Sequence, residues 1–253
     1  MRDAKPAFCA LAVVLCLGIA SASAAGGDDT PAAPAPKPGP ALVPAAKPVA
    51  ATQPPVTADC AATFTARVQA RYDHMRELEA RFTQRIMSAL SPGGDVTTGR
   101  VALAKPGRMR WSYETPEPSL VVSDGRTLWI YDPAAREAQK LTVGEQFLSG
   151  AAFQFLLGTG RIADAFSVRA DRCDAPRALL TLTPKADATY QTLELGIDTA
   201  TGEARSTAVL DLFGNRTEVE FSELRYDRGL DSSTFRFTPE PGVRVIELDP
   251  AAN

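Results

Sequence analysis

The sequence predicts a mainly β domain with a few helices (α+β), built on a strongly curled antiparallel sheet of about ten or eleven strands. Three observations lead there. After the first helical pattern, apolar residues recur with a period of two in one segment after another, with short turn sequences between them. Strands do not alternate with long helical patterns, which disfavours a parallel βαβ sheet. One hairpin, "VVSDGRTLWIYDP" (residues 121–133), is apolar on both faces of its second arm, where a sheet wet on one side would alternate.

At the start of the chain, Arg2 and Lys5 precede an apolar run over residues 7–20, and the small residues "SASAAGG" follow it. This predicts a secretory signal peptide over residues 1–25, cleaved near Ala24 or Ala25; the apolar run is too short for a membrane span. Leu15 before Cys16 is too bulky for a lipobox, so cleavage without lipid attachment and export of a soluble chain are expected. Residues 26–58, rich in Pro and Ala, predict a disordered, extended linker, partly polyproline II, with no core of its own. The folded domain is expected over residues 59–253.

That domain opens with an amphipathic helix. Phe64, Val68, Tyr72 and Met75 recur at intervals of four, four and three, with Arg67, Gln69, Arg71 and Asp73 between them. The period then switches to two: Val101 and Leu103 alternate with Arg100 and Ala102, and Met109, Trp111 and Tyr113 alternate with Arg108, Arg110 and Ser112. The turns "SDG", "DTATGE" and "FGN" have hairpin chemistry. A second helical stretch over about residues 144–158 is apolar around most of its girth, unusual for a surface helix. Strands resume with "AFSVRADRC", "RALLTLTPK", "YQTLELGID", "EARSTAVLDLF" and "NRTEVEFSELRY", and the tail "STFRFTPEPGVRVIELD" adds one or two more. A single sheet of this size must curl, which gives it a concave face. Residues 128–131 are thus expected to line an interior on one side and to pack under a helix or a neighbouring strand on the other.

No spacing in the chain points to catalysis, although two carboxylates could converge in space. The single His, His74, falls on the polar helix face. There is no G-x-S-x-G elbow, no Ser-His-Asp set and no metal-ligand spacing, and "GTGR" (residues 158–161) lacks the strand and the lysine of a phosphate loop. Cys60 and Cys173 form an even pair in an exported domain, which predicts a disulfide between the start and the middle of the domain; two free buried thiols are the alternative. The formal charge of −3 and the lack of a basic stripe argue against nucleic acid as a partner. What stands out is apolar. The same residues could form a plain core, but a curled sheet of long strands also makes an interior that can hold a lipid. Each acyl methylene moved there from water gains about 0.8 kcal/mol. Such binding needs no cofactor and no metal.

The segment "KPGRMRWSYETPEPSLVVSDGRTLWIYDP" (residues 105–133) resembles the outer-membrane lipoprotein carrier (LolA) family. The resemblance continues through "LTPK" (182–185) and "YQTLELGID", and closes on "FRFTPEPGV" (235–243). It implies an incomplete β-barrel, an unclosed sheet capped by helices that act as a lid. It also implies a non-enzymatic periplasmic carrier, a monomer, that shelters the acyl chains of lipoproteins between barrel and lid. Such a carrier takes acylated lipoproteins from an inner-membrane lipoprotein-releasing ABC transporter and hands them to an outer-membrane receptor lipoprotein (LolB-like). In the family an Arg before the Pro of this strand hydrogen-bonds lid carbonyls and latches the unliganded form shut. Lys105 occupies that position here, and without the guanidinium fork its latch is expected to be weaker or differently arranged. The cavity aromatic that often follows is Met109 here, a side chain that adapts to varied partners. Trp111 and Trp129 match the family pattern, whereas Cys60 and Cys173 match no general family feature. The expected cavity contacts are Met109, Trp111, Leu128, Ile130, Phe153, Leu156 and Leu157. Two other readings use the same fold: a carrier of another amphiphile, such as a glycolipid or lipid-linked product, and a protein-binding sensor or scaffold acting through an open sheet edge.

Overall fold

The computed structural model describes residues 58–142 and 160–248. Helix α1 (Ala58–His74) buries Phe64, Val68 and Tyr72 on one stripe, and Met75 just beyond its end is buried too. Strands β1 (Glu77–Met87), β2 (Asp95–Ala104), β3 (Arg108–Thr115), β4 (Ser119–Asp124), β5 (Thr127–Asp132) and β6 (Glu137–Thr142) follow as a run of hairpins. After the one-turn helix α2 (Ile162–Ala165) come β7 (Phe166–Asp174), β8 (Arg177–Pro184), β9 (Tyr190–Asp198), β10 (Ala204–Asp211) and β11 (Arg216–Tyr226). A 3-10 turn (Ser232–Phe235) and β12 (Arg244–Leu248) complete the described chain.

The strands form one twelve-stranded sheet in the order β12-β6-β5-β4-β3-β2-β1-β11-β10-β9-β8-β7. It is mainly β and unclosed: β12 and β7 end the order without pairing with each other. The count exceeds the ten or eleven read from the sequence, because every alternating segment becomes a strand and the tail contributes β12. That last strand also departs from the antiparallel expectation, running parallel to β6 from the Arg244–Glu137 pair to Leu248–Leu141. The long tail beyond β11 makes this possible, since a parallel neighbour requires a crossover connection rather than a hairpin.

One face of the sheet is apolar from strand to strand. Between β8 and β9 the opposed pairs are Ala178–Ile197, Leu180–Leu195 and Leu182–Leu193. Between β2 and β3 they are Val101–Trp111 and Leu103–Met109. These residues belong to one buried cluster, which also takes in the α1 stripe. Packing of α1 against β7 and β8 covers the end of the sheet where those two strands lie. Charged residues take the other face; Arg216, for example, donates two hydrogen bonds of 2.8 Å to Glu194 and holds its carboxyl below the usual carboxylate range.

The hairpin of β4 and β5 turns through Gly125, whose φ of +93° suits glycine, while Asp124 Oδ1 accepts from the backbone N–H groups of Arg126 and Thr127 at 2.8 Å. Leu128 and Ile130 belong to the inner cluster. On the opposite face the neighbouring strand contributes Lys140, whose Nζ lies 5.8 Å from the Trp129 ring, but the main cover is the tail, which the sequence reading did not include. Phe237, just past the 3-10 turn, packs its ring 5.6 Å from that of Trp129 and 5.0 Å from that of Tyr131. Two residues earlier, Phe235 is buried on Ala102 and Ala104, beneath the Arg108 guanidinium 5.3 Å away. The tail thus covers part of the outer face of β2 to β5. The sequence places it about a hundred residues from the strands it covers, too far for any local pattern to show the contact.

Candidate functional site

Four of the residues expected to line a cavity are brought together. Met109 lies opposite Ser123, and Ser123 opposite Leu128; Trp111 lies opposite Val121, and Val121 opposite Ile130. The two rows are adjacent across β3, β4 and β5, so Met109, Trp111, Leu128 and Ile130 form one patch on the inner face. All four are buried, none more than 7% exposed. The only polar member of the rows, Ser123, turns its Oγ to accept from the Gly125 N–H at 3.1 Å, so the patch presents no unmet polar group there. Phe153, Leu156 and Leu157 lie outside the described residues.

An aromatic group continues the patch. Phe82 of β1 sits opposite Gly99 of β2, and its ring lies 4.9 Å from that of Trp111 and 5.3 Å from that of Tyr113. Sequence reasoning passed over the polar residues beyond it. Gln84 is fully buried, and Thr97, its register partner on β2, is 8% exposed. Burial also pushes the pKa of the nearby Tyr113 hydroxyl up, so it stays protonated. The signal was present in "RFTQRI", where a glutamine takes the inner position two residues after Phe82. Clefts formed by described residues lie elsewhere. One of about 550 Å³ runs between α1 and β7, with Ala66, Phe166 and Lys185 in its wall, and one of about 460 Å³ lies on the outer face among Arg81, Arg100 and Arg110.

Lys105 follows β2 and reaches back to α1, its Nζ donating to the Tyr72 carbonyl in the last turn. Exposed carbonyls and the negative end of the helix dipole make this a favourable place for an ammonium. Desolvation lowers the Lys105 pKa, opposed by the charges of Asp73 and Asp227. The backbone N–H of Lys105 also donates to the Arg76 carbonyl at 2.9 Å. Further along α1, Arg67 donates to the Thr199 carbonyl at 2.7 Å, Arg71 donates to Glu203 at 2.6 Å, and Gln69 Oε1 accepts from the Ile162 N–H at 2.9 Å. Replacing Lys105 with Met is expected to cost about 1 kcal/mol, a charged hydrogen bond discounted for partial exposure. It should also speed amide exchange in the last turn of α1, whereas Lys105→Arg should leave exchange slow. Equal exchange in Lys105→Met and the unaltered protein would show that the contact does not hold the helix.

The structure joins Cys60 of α1 to Cys173 of β7 as a disulfide, with Cα atoms 6.3 Å apart. His74 is exposed at the end of α1. Among the described residues no group of three or more His, Cys, Asp or Glu side chains could hold a metal ion.

Comparison with known proteins identifies a family. Residues 73–238 match the family described as outer membrane lipoprotein carrier protein LolA. An outer-membrane lipoprotein carrier protein of Dechloromonas aromatica is 32% identical over 174 residues, covering 68% of this chain and 81% of that protein. One of Chromobacterium violaceum is 29% identical over 196 residues, covering 77% of this chain and 92% of that protein. Among solved structures, a LolA superfamily protein from Nitrosomonas europaea aligns with a TM-score of 0.40 at 12% identity, over 70% of this chain and 97% of that one. With a family model matched over residues 73–238 and a carrier relative 32% identical, covered over 81% of its length, the chain belongs to the LolA family of outer membrane lipoprotein carrier proteins.

Proposed function

We propose that this protein is a periplasmic, non-enzymatic carrier that shelters the acyl chains of lipoproteins against the inner face of its sheet. It accepts them from an inner-membrane ABC transporter and releases them to an outer-membrane receptor lipoprotein. The observation that carries the reading is the largely apolar inner face of an unclosed sheet, of which Met109, Trp111, Leu128 and Ile130 form one patch. Those four are packed among other side chains here, so taking up a lipid requires that face to open. Lys105 and the disulfide, both tied to α1, restrain the helix over the end formed by β7 and β8. Apolar burial supplies the affinity at about 0.8 kcal/mol per methylene, which leaves the cargo chemically unchanged.

Transfer of a radiolabelled lipoprotein from inner-membrane vesicles to the protein tests this. The unaltered protein is expected to release lipoprotein in soluble form. Met109→Glu places a carboxylate where an acyl chain would lie, and a penalty of about 1.4 kcal/mol or more lowers acceptance at least about tenfold. Met109→Leu should transfer normally. No release by the unaltered protein would reject the carrier reading, and full transfer by Met109→Glu would remove this patch from the binding face. Mass spectrometry of the extracted ligand separates lipoprotein from another amphiphile.

A further inference from the structure

The inner face is not apolar throughout. Gln84 has no exposed surface, yet among the described residues its Nε2 has no hydrogen-bond partner, and neither does the buried Oγ1 of Thr97 directly across from it on β2. Among the described residues, the Tyr113 hydroxyl approaches the Gln84 Oε1, at 3.5 Å. Two amide N–H groups and a hydroxyl are therefore gathered at one spot without an acceptor. Their surroundings are Phe82 and the buried Val219, the register partner of Gln84 on β11. A leucine or methionine would fill the same space without burying unmet donors, so the glutamine is costly to the fold as it stands. The spot lies toward the β1–β2 hairpin, at the opposite end of β2 from Lys105, with the aromatic group between it and Met109.

We propose that Gln84 and Thr97 form a polar subsite on the inner wall that receives the carbonyl oxygen at the head of an acyl chain. The inference rests on the lipid-carrier reading and adds a direction to it. An ester or amide carbonyl has an oxygen that accepts and no proton to donate, which suits a cluster rich in donors. With the carbonyl at Gln84, the hydrocarbon runs past Phe82 and Trp111 toward Met109 and Leu128. The chain is then held in one orientation.

The test uses two probes on the full protein: a tripalmitoylated cysteinyl lipopeptide with ¹³C-labelled carbonyls, and 1-N-phenylnaphthylamine, which has no carbonyl. The unaltered protein is expected to bind both, and the labelled carbonyl stretch to move to lower wavenumber than in hydrocarbon. Gln84→Met and Thr97→Val should each weaken lipopeptide binding about fivefold, the loss of one ordinary hydrogen bond, and leave the fluorophore unaffected. Unchanged lipopeptide affinity in both variants overturns the subsite while leaving the carrier reading intact. Binding of neither probe by the unaltered protein overturns both. If neither variant folds, the band in the unaltered protein decides: a carbonyl stretch at its hydrocarbon position overturns the proposal.

Discussion

Gly99→Ala is expected to lower the stability of the domain by about 2–3 kcal/mol, as for insertion of a methyl group into a packed core. A Cβ at this position would meet two carbons of the Phe82 ring at 2.8 Å and collide with the Ser112 carbonyl oxygen. Neither neighbour can yield cheaply. The carbonyl belongs to the ladder between β2 and β3, and the ring is the centre of the group formed with Trp111 and Tyr113. The glycine is needed here for the close approach of a ring to the backbone. Urea unfolding measures the loss as a shift in midpoint with little change in slope. A smaller side chain at position 82 should relieve the part of the strain that the ring causes, though not the clash with the Ser112 carbonyl, so Gly99→Ala with Phe82→Leu should cost less than the sum of the single changes. Strict additivity would show that the ring does not fill the space over Gly99.

Replacing both Cys60 and Cys173 with serine is expected to cost about 2–5 kcal/mol, because the cross-link closes a long loop and restricts the unfolded chain. Their separation is 113 residues, which spans β1 to β6 as well as part of β7. The loss should be visible as a lower urea midpoint, and dithiothreitol should bring the unaltered protein to the same midpoint while leaving the double variant unmoved. Locally, the start of α1 should exchange its amide hydrogens faster, since the bond is its link to β7. The last turn keeps Lys105 and Arg71 and should respond less. A double variant as stable as the unaltered protein would show that the cross-link contributes nothing to the fold.

Much of this architecture is legible in the residues because it depends on local repetition. The α1 stripe follows from spacings of four and three, and it is the stripe that the structure buries. The strands follow from period-two alternation, and the Asp124-Gly125 turn from side chains that satisfy their own backbone. Met109 and Trp111, two residues apart on β3, had to share a face, and the hairpin brought Leu128 and Ile130 beside them. What escaped were contacts between distant segments. Phe237 over Trp129 and Tyr131, and β12 running parallel to β6, depend on where the tail crosses the sheet. Gln84 escaped for another reason. Alternation marks which face a residue occupies and says nothing of whether its polar atoms find partners there.

The absence of a pairing between β12 and β7 has a mechanical consequence. In a closed cylinder of strands the circumference is fixed by strand number and stagger, and enlarging it means breaking a ladder of backbone hydrogen bonds. A wall with a seam is under no such restriction. Bending such a wall changes its bore while every strand keeps its neighbours.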